Sequence, residues 1–442
     1  MNQLILSPSD ILMMRDARPM EGALAGHTLP WPTPDLITHA LRAALHRSGI
    51  ECHRHEFHPR GQARCYKGAA NRTSRYGSVL QAGPFPVKTG ADGAMEWYLP
   101  CPLDVELGVA APTGLPLPHE LGANSTLPAP LRYSVAGLCA PSKENRAPVW
   151  FSTAAWARYA EASAAGVVGS QVPRLSAGEG IVHADVADAE HHYGIARDDA
   201  NNAVKKGSFY SYTGLRLKPN WHIGSWVNSS EKDADGGRKD VLQELLRQDK
   251  HIVVGGQQRV CTAELSPAGT LPLPPMPQLH ADADGKVRIK WVLLTPAIWS
   301  RHGEHPGGWL PGWVHAETGA VMLGGGNRSR REGERRADWR ARLQAQHSAI
   351  DAHLVAAVVG KQIPITGYAT AGRPDGEEGP KLTHAAVPAG SVYYFECGSV
   401  AAAEQLCHAL HCTATPNLTR RSELLGEQGF GLGLCAAWHF AK

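Results

Sequence analysis

Between Phe57 and Ala91 the chain has no aspartate or glutamate, while Arg60, Arg64, Lys67, Arg72, Arg75 and Lys88 fall there, interleaved with Tyr66 and Tyr76. A basic, Gly-containing stretch with aromatic rings can neutralise phosphates and stack bases, the combination that single-stranded nucleic acid rewards. The other reading of the same stretch is a flexible surface insertion with no ligand. Further absences narrow the field. Met1 to Pro8 has no basic region and too short an apolar run for a secretory signal. No segment has the length of a transmembrane helix, so the expectation is a soluble, cytoplasmic protein with no membrane partner. Nine cysteines, an odd number at irregular spacings, argue against a disulfide framework and for a reducing compartment. No Gly-x-x-x-x-Gly-Lys loop, nucleophile elbow or His-Glu-x-x-His pair occurs. Lysine is scarce: of 44 basic residues 14 are lysine and 30 arginine, the side chain that forks onto phosphate and stacks on bases. A GC-rich genome gives the same excess.

What is present suffices for real cores. The chain has 442 residues, 43% of them hydrophobic, with a net charge of +3, enough for about two to three domains. Leu4 to Leu6 reads as a strand, and Pro34-Asp35 opens a helix carrying Leu36, Ile37, Ala40, Leu41, Ala44 and Leu45 at helical spacing. Strand candidates follow at Glu96 to Leu99, Arg132 to Val135 and Arg259 to Leu265, with a hairpin over Gly207 to Val227 and a helix near Val241 to Leu246. The run Leu271 to Pro277, rich in proline, reads as a linker. After it come strands at Val287 to Leu294, Ile363 to Tyr368, Ser391 to Phe395 and Gly431 to Trp438, with helices at Arg331 to about Ser348 and Ala401 to Leu410. Strand, helix, paired strands, helix, strand is the split βαβ order. The expected class is α+β: two tandem ferredoxin-like (RRM-like) domains with long loop insertions, at residues 1–265 and 286–442, joined by a Pro-rich linker at 266–285.

The last stretch is distinctive. Pro388 to Phe395 is a turn feeding a strand, and Gly429-Phe430-Gly431-Leu432-Gly433-Leu434 alternates glycine, which strips one face and lets another backbone or a polyanion come close. A basic run at Arg328 to Arg342 has Glu332, Glu334 and Asp338 three or four residues from its arginines, so it reads as an exposed helix laced by its own ion pairs. Cys52, His53, His55, His58 and Cys65 fit none of the usual zinc spacings. Cys407 and His411 share a helical face, but no carboxylate or further ligand pair accompanies them, so packing explains them better than a metal. No metal or cofactor is expected. His27, His39, His191, His192 and Tyr193 are the acid–base candidates for metal-free RNA cleavage, among 22 histidines.

Several landmarks, in order, resemble one family. Arg15-Asp16-Ala17-Arg18-Pro19-Met20 is similar to an Arg-Asp-Gly-Arg-Pro-aromatic opening, and Pro32-Thr33-Pro34 with Ala40-Leu41-Arg42 to a proline turn and first helix. Gly194-Ile195, Lys206 to Tyr210 and Arg216-Leu217 resemble its central hairpin, and Gly255-Gly256-Gln257-Gln258-Arg259 its Gly-Gly-Glu-Arg-like turn. Leu294 to Ala297, Gly307 to Pro311, Pro380-Lys381, Pro388 to Phe395 and Gly429 to Gly433 complete the set. The family is subunit three of the type III-B CRISPR Cmr effector complex, in the RAMP superfamily. Ala17, Met20, Ala40 and Gln257 depart from its pattern, and Leu107 to Gly137 and Gly324 to Ala349 match none of it.

The resemblance implies two ferredoxin-like domains, no catalysis, binding of the 5′ tag of the crRNA, and docking to the large polymerase-like subunit. An adjacent backbone RAMP subunit and, indirectly, the target RNA are the other expected partners. On this reading Arg15, Arg18, Arg42, Lys205, Lys206, Arg216 and Arg259 form the first domain's grip, together with the acid-free stretch. Lys381 and the backbone of Gly390, Ser391, Gly429, Gly431 and Gly433 close it. A structural ion pair of Arg15 or Arg18 with Asp16 or Asp35 is the competing role. The alternative functions are a RAMP endoribonuclease that processes precursor crRNA, and a protein-bridging scaffold.

Overall fold

The computed structural model describes residues 1–14, 25–26, 29–50, 55–56, 73–74, 79–106, 108–122, 125–137, 147–167, 172, 174–232, 237–267, 272–299, 308–323, 335, 337–338, 341, 349–369, 379–412 and 419–441. The first half runs β1 (Asn2–Pro8), α1 (Pro34–Ser48), β2 (Leu80–Thr89), β3 (Met95–Pro100), β4 (Trp150–Ser152), α2 (Thr153–Ala164), β5 (Gly180–Ile181), β6 (Ala187–Arg197), β7 (Val204–Leu217), β8 (Trp221–Asn228), α3 (Val241–Gln248), β9 (His251–Val253) and β10 (Val260–Pro267). The second runs β11 (Val287–Leu293), β12 (Ala352–Val358), β13 (Val392–Cys397), α4 (Val400–Leu410) and β14 (Gly433–Ala437).

An eight-stranded sheet has the order β5-β4-β3-β2-β8-β1-β10-β9, and a four-stranded sheet has β12-β13-β11-β14. At the centre of the first, β2-β8-β1-β10 are neighbours, all antiparallel. Numbered among themselves in chain order, these are the second, third, first and fourth of the four. The second sheet repeats that order with antiparallel pairs throughout. Strand alternation divides each sheet's residues between two faces. Leu4 and Leu6 join Ile37, Leu41 and Leu45 of α1 and Leu242 and Leu245 of α3, whereas Ile5 points the other way to Phe85, Trp97 and Trp226. That inner cluster also contains Val292, Tyr394, Leu434 and Trp438, so the two sheets face each other across one shared core. Beyond the second sheet, Ile289, Trp291 and Leu293 pack under Leu406 and Leu410 of α4.

Inside the shared core lies a fully buried ion pair. Lys290 of β11 donates to Asp104 at 2.7 Å, and the hydroxyls of Tyr159 and Tyr394 donate to the same carboxylate at 2.7 and 3.0 Å. Lys290 and Asp104 are both fully buried. Burial lowers the lysine's pKa, and the Asp104 charge opposes that shift. Such a pair is sustained by complete hydrogen bonding, and removing one member leaves a buried charge without its counterion.

Several expected elements lie elsewhere. The second strand of the C-terminal sheet is Ala352–Val358, not Ile363 to Tyr368; Ile363–Ile365 instead pairs with His384–Ala386 in a separate two-stranded ribbon. The acid-free stretch ends in a ten-residue strand, Leu80–Thr89, rather than continuing as loop. The expected hairpin at Gly207 to Val227 divides: Val204–Leu217 pairs with Ala187–Arg197, and Trp221–Asn228 enters the large sheet between β1 and β2. The bonding opportunities of a central strand outcompete the local turn between them. Arg132 to Val135 is not a strand; Val135–Gly137 pairs instead with Gly114–Pro116. The proline-rich segment packs against the core, with Leu273 and Met276 on its clusters.

Candidate nucleic-acid interface

Two features of the described surface could carry RNA: a projecting arm and a cleft where the halves meet. The arm is the antiparallel pair β6–β7, in register from Ala187↔Leu217 to Ile195↔Phe209, with a shift before Arg197↔Val204. Alternation puts His191, Tyr193 and Ile195 on one face with Thr213, Ser211 and Phe209, and His192 and Gly194 on the other with Tyr212 and Tyr210. On the second face His192 stacks on Tyr212, at 5.0 Å between centroids, and Tyr210 lies across the bare Gly194. The first face keeps its rings in solvent. Tyr193 is 70% exposed and Phe209 49%, and they stack on each other at 6.0 Å. Ile195 and Val204 are exposed beside them. Lys205 is exposed on the same arm; of Lys206 only the backbone is described.

At the base of the arm the structure brings Arg216 and Arg259 together through one acid. Arg216 donates to Asp10 at 3.0 Å and also to Glu190, while Arg259 donates to the other oxygen of Asp10 at 2.7 Å. Glu190 falls below the usual carboxylate range chiefly through its hydrogen bond from Arg216, and Asp10 chiefly through the Ile11 backbone N–H. Both arginines are therefore committed to carboxylates, and their exposed faces remain for phosphate. Of the hydrolytic candidates, His192 pairs with Glu190 at 2.8 Å and His191 shares a hydrogen bond with Thr213 on the opposite face. Strand alternation thus separates them.

The cleft, of about 430 Å³, lies between α1, the turn after β9, and the 364–366 segment of the second half. Met13 and Leu29 both line it, and Leu29 N–H donates to Met14 O at 2.8 Å. His39 and Arg42 of α1 sit in the same charge field as Lys381. Desolvation lowers the His39 pKa, Asp35 opposes the shift, and Lys381 and Arg42 add to it. Arg42 is also lowered by desolvation, against the charges of Glu427 and Glu231, and its Nε has no hydrogen-bond partner. The backbone N–H of Lys381 donates to Gly367 O at 2.7 Å.

Of the glycines that stood out in sequence, Gly429 and Gly390 are buried where the two halves meet. Gly429 has φ +99°, and a Cβ there would lie 2.8 Å from the Gln81 carbonyl of the first half. Gly390, at φ +85°, would put one 2.6 Å from Cys101 O, and its own carbonyl accepts from Leu103 N–H. Only glycine fits both the left-handed backbone and the close approach. Gly431 and Gly433 back onto Ser422 and Trp291, and Ser391 is fully buried. Gln81 completes the junction, donating to Pro34 O and Gln428 O at 2.9 Å each. Sequence reasoning missed Gln81 and Gln428, which are 347 residues apart and show no local signal. The exposed rings at Tyr193 and Phe209 had a signal, the alternation around Gly194.

The candidate metal pair resolves into packing. α4 ends at Leu410, and His411 follows as its cap. His411 Nδ1 accepts from Cys435 N–H at 3.0 Å while Nε2 faces Pro274 O at 3.1 Å, so both ring nitrogens are occupied. Burial pushes its pKa down to about 4. Arg15, Arg18, His27, Cys52, His53, His58, Arg60, Arg64, Cys65, Lys67, Arg72 and Arg75 lie outside the described residues, as does most of Arg328 to Arg342. Among the described residues no helix is long and apolar enough to cross a membrane.

Two solved structures resemble the chain: the type III-B Cmr-beta bound to cognate target RNA, and the same assembly bound to target RNA and AMPPnP in state 1. Each is 12% identical and covers 89% of this chain and 86% of that one, with TM-scores of 0.37 and 0.36. No curated protein matches. The family model for CRISPR-associated protein (Cas_Cmr3) matches residues 4–438, nearly the whole chain. The chain belongs to the Cmr3 family of CRISPR-associated proteins.

Proposed function

We propose that this protein is a non-catalytic RNA-binding subunit of a type III-B CRISPR effector in the cytoplasm. It holds the 5′ tag of the crRNA and docks to the large polymerase-like subunit beside a backbone RAMP subunit, touching target RNA indirectly. Two ferredoxin-like units form its frame, a reading supported by the shared strand order of the two sheets and by α1, α3 and α4 lying between the expected strands. Family membership supplies the assembly. The observation that carries RNA contact is the arm, where Tyr193 and Phe209 hold a stacked, solvent-facing ring pair, with the exposed Lys205 on the same strand as Phe209. Exposed rings next to cations bind unstacked bases with little sequence preference.

Arg15, Arg18, Arg42, Lys206, Arg216, Arg259 and Lys381, with the basic residues from Arg60 to Arg75, are assigned to phosphate contact. Gly390, Ser391, Gly429, Gly431 and Gly433 act by shaping the seam that presents those cations. Titration of the full chain with tag RNA tests the reading. Affinity falls steeply as salt rises, because each phosphate neutralised releases counterions, and the RNA stays intact in chelator. The pair Tyr193→Ala and Phe209→Ala lowers affinity about tenfold, at ~1–3 kcal/mol per stacked base. Cleavage of repeat RNA would support the endoribonuclease instead, and absence of any RNA binding would leave a protein-bridging scaffold.

A further inference from the structure

Asp104 of the first half and Lys290 of the second meet where the two charges are unequally served. The carboxylate is fully supplied with donors: Oδ1 accepts from Tyr159 at 2.7 Å, and Oδ2 accepts from Tyr159, Lys290 and Tyr394 at 2.9, 2.7 and 3.0 Å. The ammonium is not. It has three N–H donors, and among the described residues Asp104 Oδ2 is the acceptor it meets, with the Tyr159 ring 4.4 Å from Nζ. All four side chains are buried in the shared core. A buried ammonium short of acceptors is driven toward the neutral amine, the direction in which burial moves the Lys290 pKa.

Both partners are held by fixed backbone. Lys290 lies mid-strand in β11, paired with Tyr394 of β13 on one side and Ala436 of β14 on the other. The backbone carbonyl of Asp104 accepts from Thr113 N–H and Gly114 N–H at 2.8 Å each. With Nζ 2.7 Å from Oδ2, the nitrogen is in contact with the carboxyl group it faces. Such enforced contact is what makes an intramolecular reaction fast.

We propose that Lys290 and Asp104 condense into a side-chain amide, a covalent crosslink between the two halves of the chain. The ion pair is the reactant. Nζ passes one proton to Oδ2, which leaves a neutral amine facing a neutral acid, and the nitrogen lone pair attacks the carboxyl carbon. Charge develops on Oδ1, where Tyr159 donates to it. The bond from carbon to Oδ2 then breaks as Nζ gives up a second proton by way of the Tyr394 hydroxyl. Oδ2 departs as water with both protons, the third stays on the amide nitrogen, and net charge is zero throughout, so no other reactant enters. The product contains no buried charge and keeps the Tyr159 hydrogen bond on its carbonyl.

The test is the mass of the purified full chain under denaturing conditions, at purification and after several days of incubation in the folded state, followed by peptide mapping. Expected is a species lighter than the sequence by one water, increasing with incubation, and a branched peptide that joins the segments carrying Asp104 and Lys290. Lys290→Met and Asp104→Ala abolish both signals. Tyr394→Phe, which leaves the ion pair in place, slows the reaction about a hundredfold, as loss of one proton-transfer group does, and thermal melts confirm that it is folded. An unshifted mass after incubation, with Asp104 and Lys290 recovered in separate linear peptides, overturns the proposal and leaves the pair ionic. Loss of water that persists in Lys290→Met places the dehydration elsewhere, as an aspartyl succinimide would, and overturns it as well. A crosslink formed at an unchanged rate in Tyr394→Phe overturns the proton route.

Discussion

The aromatic residues of the second sheet and those of the arm are chemically alike and placed in opposite surroundings. Trp291, Trp299, Tyr393 and Phe395 are buried under α4, and their polar atoms are used: Trp299 Nε1 donates to the Tyr393 hydroxyl at 3.0 Å, which donates to Trp309 O at 2.6 Å. Tyr193 and Phe209 touch each other and little else. Rings of the first kind hold a fold together. Rings of the second kind add only a cross-strand pair, ~0.2–1 kcal/mol, and keep apolar surface in water. The difference separates residues selected by packing from residues available to a ligand.

The largest effects belong to the buried side of that contrast. Lys290→Met strands Asp104 with two tyrosine donors and no counterion, at a cost of ~3–5 kcal/mol in denaturant unfolding. Phe395→Ala costs a similar ~3–5 kcal/mol through the cavity it leaves, whereas Tyr193→Ala shifts stability by less than ~0.5 kcal/mol. Equal losses at the two positions would erase the distinction between core and arm.

Acid attacks the same interior. The unfolded His411 takes up a proton near the ordinary value of 6.5, and the folded one resists until about 4. Stability fully present above about pH 6.5 is thus lost as pH falls toward 4, by up to ~3 kcal/mol. His39, His222 and His384, lowered chiefly by burial, act in the same direction. Melting temperatures compared at pH 7.5 and 4.5 measure this, and a flat profile would contradict the buried, neutral imidazole. The seam glycine gives the smaller loss: Gly429→Ala places a Cβ against Gln81 in left-handed backbone, costing ~1–3 kcal/mol. Closed at Gln81 and Gln428, the seam also presents the cleft, so the same variant weakens RNA binding. Unchanged affinity would make the seam purely structural.

Much of the frame was legible in sequence because its signals are local. Val287–Leu293 and Val392–Cys397 are rich in β-branched and aromatic residues, and Pro34 opens α1. Where signals conflict, reading failed. Ala352–Val358 is alanine-rich and suits a helix as well as a strand, and only pairing with β13 decides it. Leu80–Thr89 contains Gly83, Pro84 and Pro86, which demote a strand. It survives because β3 pairs only with its last residues, so Pro86 faces β8 alone and Pro84 falls where the register with β8 shifts. The glycines were rightly read as sites of close backbone approach, but what approaches Gly429 and Gly390 is the other half of the chain. The cleft was illegible because its walls come from residues 13–47, 253–256 and 364–366, a proximity that only the closed seam creates.

The most direct test of the central claim is ultraviolet crosslinking with mass spectrometry on the complex loaded with its guide. Crosslinks at Tyr193 and Phe209 on the arm, and along α1 and the 364–381 segment at the cleft, are the predicted result. Crosslinks absent from both places would contradict it.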